Sequence, residues 1–172
     1  GVHKGLKDLV ALGWIDKMPR IFGVQAEGSN YIAEAWETGE DIVTKAPIKA
    51  QTKADSISAG LPRDRIKGLR AVTETDGAYV TVSDEAILAA IPTLAQGSGV
   101  FAEPAGAAAY AGLQKAVEDG LISAESRIVV INTGNGLKDV KGAMAGVELS
   151  GNRVHSVAPN LAAVMIALNQ TN

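Results

Sequence analysis

The sequence predicts an α/β fold with three layers, in which an open, mostly parallel sheet carries helices on both faces. Helix-type apolar spacing alternates along the chain with short apolar runs bounded by turn residues, the pattern of strands joined by crossover helices. Glycine supplies 19 of the 172 residues, above the roughly 7% of average usage. Glycine at this density suits tight turns and close backbone approaches. We therefore expect one α/β domain over residues 1–172.

The first half of the chain is predicted to form helices alternating with two strands. Apolar residues at helical spacing, glycine or proline at the ends and capping side chains define the helices. Residues 39–60 have no clear period, which predicts a surface excursion or a functional loop. In chain order the predicted elements are a helix ending at Gly13, a strand over 20–26, a helix over 31–37, a helix over 62–74 and a strand over 78–82.

The second half repeats the alternation. Ser83 followed by two carboxylates predicts a helix start, and Pro92 is expected to kink or shorten that helix. The run 127–132 is the most strand-like in the chain, because it is almost entirely apolar and β-branched. The remaining predicted elements are an alanine-rich helix from Glu103-Pro104 to Gly120, a helix from Leu137, a hairpin over 148–154 and a terminal helix over 159–169.

Composition excludes several classes of function. Sixteen Lys and Arg against nineteen Asp and Glu give a net charge of −3, which does not favour nucleic-acid binding. No stretch approaches the ~20 apolar residues of a membrane span, and we expect no signal peptide. The chain has no cysteine, and its two histidines lack metal-ligand spacing. We expect a cytoplasmic protein without a metal, a membrane partner or a nucleic-acid partner.

The strongest candidate binding segment is residues 133–139, directly after the most strand-like run. In open parallel sheets, ligands bind beyond the carboxyl ends of strands, where glycine-rich loops lead into helices. Gly134 and Gly136 would let backbone N–H groups approach a ligand, and the hydroxyl of Thr133 would point into such a site. An ordinary tight connection explains the same pattern, so both interpretations stay open here.

Two further segments are candidates. Glu103 stands at the start of a helix whose first turns are almost entirely small residues. It is either a carboxylate that caps the helix or an acceptor beside a space for a flat ligand. Asp55 and Ser56 lie in the polar segment 54–63, which is either a functional loop or an ordinary surface loop.

These segments together resemble one family. Residues 7–20, 23–27, 54–58, 101–105 and 133–139 occur in the order, and at about the spacing, found in threonine synthases. The chain is similar to the C-terminal half of those pyridoxal-phosphate enzymes, which have the tryptophan-synthase-β-like fold. The resemblance extends over residues 1 to about 145 and implies that the chain is part of the large domain. The tail 146–172 is less recognisable.

The resemblance implies a cofactor, a reaction and site residues. The cofactor would be pyridoxal 5′-phosphate, and the lyase reaction would convert O-phosphohomoserine and water to threonine and phosphate. Thr133 would face the pyridine nitrogen of the cofactor from the loop that contains Gly134 and Asn135. Glu103 would lie near the ring, and the segment Asp55–Ser56 would approach its other edge. A neutral hydroxyl at the nitrogen would moderate the electron sink, because it does not enforce a protonated ring.

The resemblance also implies what this chain lacks. The Schiff-base lysine and the phosphate-binding loop of the family are expected before Gly1, so no catalytic residue is assigned here. We expect the isolated chain to be inactive, to bind the cofactor weakly or not at all, and to need the N-terminal half as a partner. The substrate would be a small amino acid, and exposed apolar faces favour a homo-oligomer. A related threonine or serine dehydratase and a non-catalytic α/β binding module are the alternatives.

Overall fold

The computed structural model describes residues 1–123, 125–151 and 155–169. This part of the chain forms seven α-helices and two β-strands, with short 3-10 turns at Glu27–Ser29, Asp55–Ile57 and Gly136–Asp139. The elements in chain order are α1 (Val2–Ala11), β1 (Gly23–Ala26), α2 (Tyr31–Thr38), α3 (Arg65–Glu74), β2 (Tyr79–Val82), α4 (Asp84–Ser98), α5 (Pro104–Glu118), α6 (Val140–Leu149) and α7 (Leu161–Asn169).

The two strands pair in parallel and separate two layers of helices. Gly23 lies opposite Tyr79, and Ala26 lies opposite Val82. Because side chains alternate along a strand, Val24 packs against Gly112 of α5 while Gln25 faces the other layer. The side-chain oxygen of Gln25 accepts hydrogen bonds from two backbone N–H groups in the first turn of α2, at 3.0 and 2.8 Å. The predicted three-layer α/β fold with a parallel sheet is confirmed.

Each face of the sheet has its own apolar core. The larger core lies between the sheet, α4 and α5 and is built mainly from alanine and β-branched side chains. Alanines on α5 let that helix approach the sheet and α4 closely, because they add little side-chain volume. The smaller core lies on the opposite face, where Tyr31 and Ala35 of α2 pack against Ile42 and Leu69. Helices on both faces therefore bury different apolar sets.

Pro92 does not shorten α4, which continues to Ser98 and ends at Gly99 in the left-handed conformation. Of the two effects expected of Pro92, the shortening is therefore wrong, and the kink stays a prediction. Proline lacks the N–H that would bond to the Leu88 carbonyl four residues earlier. That carbonyl faces Gly146 of α6, so close that a Cβ there would lie 2.7 Å from the oxygen. Pro92 is buried, and packing against neighbouring helices keeps α4 continuous through it.

The predicted strand over 127–132 is wrong, because the structure has no strand there. Val129 is 89% exposed and Ile131 is 52% exposed. An apolar run forms a strand only where a neighbouring strand supplies hydrogen-bond partners. Within the described ranges the sheet has two strands, β1 and β2, which pair with each other. The run therefore passes along the surface to the segment 133–139.

The C-terminal part differs from prediction in one element. Glu148 and Leu149 close α6 and Ser150–Gly151 form its terminating turn, so the first half of the predicted hairpin over 148–154 is wrong. Gly151 has a φ of 77°, the left-handed conformation that ends many helices. A glycine that ends a helix thus has the same local pattern as a hairpin turn. Residues 152–154 lie outside the described part of the chain, and α7 agrees with the predicted terminal helix.

Candidate functional site

A short antiparallel contact joins the start of α5 to the glycine-rich segment 133–139. Ala102 and Asn135 form an isolated β-bridge. On its two sides the Glu103 N–H donates to the Gly134 carbonyl at 3.0 Å, and the Gly136 N–H donates to the Phe101 carbonyl at 3.0 Å. Two candidate segments that are about 30 residues apart in sequence are thus held side by side.

Glu103 is a buried carboxylate with a cationic partner. It is 3% exposed and stands at the N-cap position of α5, but its side chain accepts no hydrogen bond from the helix backbone. Glu103 therefore occupies the N-cap position without making a capping hydrogen bond. Instead, the Lys138 ammonium donates to Glu103 Oε1 at 3.0 Å. A buried carboxylate is costly unless it is paired, so this contact is what makes an ionised Glu103 tolerable here.

Lys138 also reaches a third segment. Its ammonium donates to Ser56 Oγ at 3.0 Å, which brings the 3-10 turn Asp55–Ile57 beside the start of α5. Ser56, Glu103 and Lys138 come from three separate parts of the chain, and we call them the lysine junction. The junction is open on one side, because 60% of the Lys138 side chain is exposed.

The turn that carries Ser56 is anchored from several directions. The buried hydroxyl of Ser29 donates to the Ile57 carbonyl at 3.1 Å and accepts from the Ala59 N–H at 3.0 Å. The Asp84 carboxylate, at the start of α4, accepts from the Thr52 hydroxyl and, at 2.9 Å, from the Lys53 N–H. The segment 39–60 has little regular structure, yet its second half is fixed against the ends of both strands.

The first half of that segment is held by a buried lysine. Only 6% of the Lys45 side chain is exposed, and its ammonium lies 3.0 Å from Glu34 and 2.5 Å from Glu40. Hydrogen bonds from Lys45 to Glu40 and Glu34 raise the pKa of its ammonium above the ordinary value. The Tyr31 hydroxyl donates to the Lys45 carbonyl at 2.6 Å. These contacts join the segment to α2.

Two glycines, Gly106 and Gly134, allow the segments of the lysine junction to pack closely. A Cβ on Gly134 would overlap the Glu103 carboxylate, and a Cβ on Gly106 would lie 2.6 Å from Asn132 Oδ1 and 2.9 Å from the Gly134 carbonyl oxygen. Residues 132–134 therefore lie directly on the first turn of α5. The side-chain nitrogen of Asn132 is buried here and has no hydrogen-bond partner. An unpaired buried donor of this kind is a point at which a ligand acceptor would be favourable.

The structure brings some of the predicted site residues together and leaves others apart. Ser56, Glu103 and Gly134 meet at the lysine junction. Asn135 serves the local fold, since its side-chain oxygen accepts from the Leu137 N–H at 2.9 Å and caps the 3-10 turn that follows. Thr133 and Asp55 are exposed, and neither side chain enters the contacts of the junction. Their roles stay predictions.

Sequence reasoning did not assign a role to Lys138, although this residue lies in the quoted segment 133–139. Asn132 was counted only as the end of a strand. The available signal for Lys138 was a basic residue directly after a glycine-rich loop, on a helix start that positive charge does not favour.

Within the described ranges, no group of His, Cys, Asp and Glu could hold a metal ion, and no helix is long and apolar enough to cross a membrane.

Comparisons with known proteins place the chain among related sequences. The family profile described as "Pyridoxal-phosphate dependent enzyme" matches residues 1–134. A threonine synthase from Methanocaldococcus jannaschii is 40% identical over 149 residues, which is 86% of this chain and 36% of that protein. A threonine synthase from Mycobacterium tuberculosis H37Rv is 39% identical over 137 residues, 79% of this chain and 35% of that protein. The chain thus spans about a third of the length of these relatives.

Among solved structures, a threonine deaminase from T.th. is similar with a TM-score of 0.45 and 25% identity, over 66% of this chain and 38% of that one. The match to the family profile extends from α1 through the start of the glycine-rich segment and so includes the two strands, Ser56 and Glu103. The chain belongs to the pyridoxal-phosphate-dependent enzymes, the family whose cofactor is pyridoxal phosphate.

Proposed function

We propose that the chain is part of the large domain of a threonine-synthase-like enzyme, which converts O-phosphohomoserine and water to threonine and phosphate. The observation that carries the proposal is the lysine junction. Three separate segments that resemble threonine synthases in sequence meet through the Lys138 ammonium, at 3.0 Å from both Ser56 and Glu103. Relatives that are about 40% identical over most of this chain carry the name threonine synthase, which supports the choice of reaction.

The residues at the junction fit one wall of a pyridoxal-phosphate site. The buried amide nitrogen of Asn132 has no partner, so an acceptor on a bound molecule would satisfy it. Gly106 and Gly134 let the backbone of residues 132–134 pack directly against Glu103 and the first turn of α5, so this wall is held by close backbone contacts. When bound, pyridoxal phosphate supplies an electron sink for bonds made and broken at the amino acid.

We assign this wall three tasks. Thr133, an exposed residue at the start of the segment 133–139, would accept or donate a hydrogen bond at the pyridine nitrogen through its hydroxyl without adding a charge. The paired carboxylate of Glu103 would stay in place beside the ring because Lys138 neutralises it. Ser56 and Asp55 would border the other edge, with Ser56 oriented by the same lysine.

The lysine that binds the cofactor covalently and the phosphate-binding loop would come from outside residues 1–172. Exposed apolar side chains support such a partner segment: Trp14 is 76% exposed, Val129 89% and Leu137 75%. Residues of this kind cost free energy when left in water, roughly 25 cal/mol per Å² of apolar surface. We expect the rest of the enzyme to cover them, and the isolated chain to lack activity.

Phosphate release by the complete gene product tests the proposal. The protein is given O-phosphohomoserine with pyridoxal phosphate, and phosphate and threonine are measured together. In a second arm it is given threonine alone, and ammonia and the 2-oxo acid are measured. Equal amounts of phosphate and threonine in the first arm are the expected result. Product in the second arm alone would replace the synthase with a dehydratase.

A third arm separates both enzymes from a binding module. Cofactor absorbance of the complete protein is recorded before and after dialysis against an amine that removes pyridoxal phosphate. Protein that never acquires this absorbance, and forms no product in either arm, would overturn the enzyme assignment altogether. The isolated 172-residue chain serves as the control, and threonine formation by that chain would contradict the expectation that it is inactive.

A further inference from the structure

We propose that Lys138 is a positioning residue of the cofactor site, acting through Glu103 and Ser56 rather than by touching the reacting atoms. This inference rests on the proposed function, because it takes the wall at the junction to face the cofactor. Lys138 is 35 residues from Glu103 and 82 residues from Ser56 in sequence, and one ammonium reaches both at 3.0 Å.

Glu103 depends on Lys138 for its charge partner. Among the described residues (1–123, 125–151 and 155–169), Lys138 is the one cationic side chain within 4.0 Å of the Glu103 carboxylate. The Glu103 side chain is 4% exposed, so in the folded protein Lys138, rather than solvent, is the partner of its carboxylate. Without Lys138 the carboxylate must turn outward or remain buried and unpaired. Either outcome changes the electrostatic field at the wall.

The position of the glycine-rich segment depends on the same contact. The backbone of Gly134 lies directly against the Glu103 carboxylate, and its carbonyl accepts from the Glu103 N–H. The same oxygen, Glu103 Oε1, accepts from Lys138 and lies nearest Gly134, so a carboxylate that turns away from Lys138 also changes its contact with Gly134. The adjacent residue is Thr133, so Lys138 controls where the Thr133 hydroxyl lies although it does not contact that hydroxyl.

The exposure of the Lys138 side chain limits what this residue contributes to the packing of the core. Because 60% of the Lys138 side chain is in solvent, its removal takes little packing from the core. Loss of Lys138 should thus change the cofactor environment, and it should lower global stability through the unpaired Glu103 carboxylate rather than through lost packing. Removal of Lys138 also takes away the donor to Ser56 Oγ, so the 3-10 turn Asp55–Ile57 provides a second place at which the change can be measured.

The test compares variants of the complete gene product. Lys138→Met removes both hydrogen bonds at similar length, and Lys138→Arg keeps the charge. Lys141→Met, three residues further on at the exposed first turn of α6, is the matched control. The measurements are the dissociation constant of pyridoxal phosphate, the absorbance maximum of the bound cofactor, kcat and KM for O-phosphohomoserine, and the melting temperature.

We expect Lys138→Met to weaken cofactor binding roughly tenfold to a hundredfold, the range seen when a residue that orients a ligand-contacting group is removed. Its cofactor absorbance should shift, kcat should fall more than KM changes, and the melting temperature should fall because Glu103 loses its partner. Lys138→Arg should restore the absorbance at least in part, and Lys141→Met should behave like the parent. A Lys138→Met protein with parental absorbance, affinity and kcat would overturn the inference.

A measurement without cofactor separates this inference from the proposed function. Amide hydrogen exchange at Ile57, Ser58 and Gly136 is compared between the parent and Lys138→Met with no pyridoxal phosphate added. Faster exchange at these amides in the variant, with unchanged exchange in the sheet, supports the joining role. Unchanged exchange throughout would overturn it. If no protein binds pyridoxal phosphate, the proposed function fails, and the exchange data still decide whether Lys138 joins the three segments.

Discussion

Gly134 is the residue where one added methyl group would do most harm to the lysine junction. The position has no room, because a Cβ there would overlap the Glu103 carboxylate. We expect Gly134→Ala to destabilise the protein by about 1–3 kcal/mol through overpacking, and to separate Glu103 from Lys138. Urea unfolding followed by circular dichroism measures the change.

Gly97 provides the control for that substitution. It lies near the end of α4, where a Cβ would have no atom within 4 Å. Gly97→Ala should leave stability unchanged or raise it by up to ~1 kcal/mol, because alanine favours the helix over glycine. Equal losses of stability for Gly134→Ala and Gly97→Ala would contradict the proposed crowding at the junction.

Tyr79 makes stability depend on pH in the alkaline range. Burial raises the pKa of Tyr79 to about 12 from an ordinary value of 10.0. The unfolded chain therefore loses this proton first as pH rises. Titration of the Tyr79 phenol leaves the free energy of unfolding unchanged below about pH 10 and should lower it between about pH 10 and 12. Chemical unfolding at several pH values measures the slope.

Tyr79→Phe isolates that effect, since phenylalanine keeps the ring that packs near Trp36 at a centroid distance of 6.2 Å. The raised pKa of Lys45 also makes stability fall at high pH, but the parent and the variant share that contribution. We expect a shallower decline for Tyr79→Phe. Identical slopes for the two proteins would show that the Tyr79 phenol does not titrate differently on unfolding.

At the scale of elements, Asp84 links α4 to the segment that carries Ser56. Its carboxylate accepts from the Thr52 hydroxyl and the Lys53 N–H, just before the 3-10 turn begins. Asp84→Ala should cost about 1–3 kcal/mol, because these groups lose a charged acceptor. It should also speed hydrogen exchange at the Lys53 and Ala54 amides.

Glu85→Ala is the matched control at the same end of the same helix. Glu85 is exposed, and it shares with Asp84 the favourable interaction of a carboxylate with a helix N-terminus. Its loss should cost only ~0.3–1 kcal/mol and leave exchange at Lys53 unchanged. Similar exchange in both variants would mean that Asp84 acts on the helix alone and does not hold the segment.

At the scale of the whole molecule, we expect the isolated chain to associate. Large apolar side chains are exposed on several elements, including Leu161 (77%) and Ile166 (60%) of α7 and Leu12 (66%) after α1. Sedimentation velocity over a tenfold concentration range should show species heavier than 17.7 kDa. Leu161→Gln with Ile166→Gln should reduce the association if α7 takes part. A compact monomer at every concentration would contradict the prediction.

The predictability of the fold follows the range of the interactions involved. Ser83 with Asp84 and Glu85, or Glu103 with Pro104, are local helix-start signals, and the structure starts α4 and α5 there. The run 127–132 had an equally strong local pattern and still failed. Its strand required hydrogen bonds from a neighbour, and in the described part of the chain β1 and β2 use each other for that purpose.

For the candidate site too, local features could be predicted from the sequence and long-range contacts could not. Its segments were recognisable from residue types alone, since glycines after an apolar run, a carboxylate at a helix start and a polar loop are local patterns. The role of Lys138 was not recognisable, because it depends on partners 35 and 82 residues away. The choice between a capping and a buried, paired Glu103 needed the positions of all three segments.

The sequence by itself determined the α/β class, most helix boundaries, the family and the segments at which a cofactor site was to be sought. These properties depend on periodicity, capping and motif order, which can be read from the residue order alone. Only the tertiary structure decided that 127–132 is not a strand and that Ser56 and Glu103 share the Lys138 ammonium. The physical reason is that strand pairing and burial of a charge depend on neighbours that are distant in sequence.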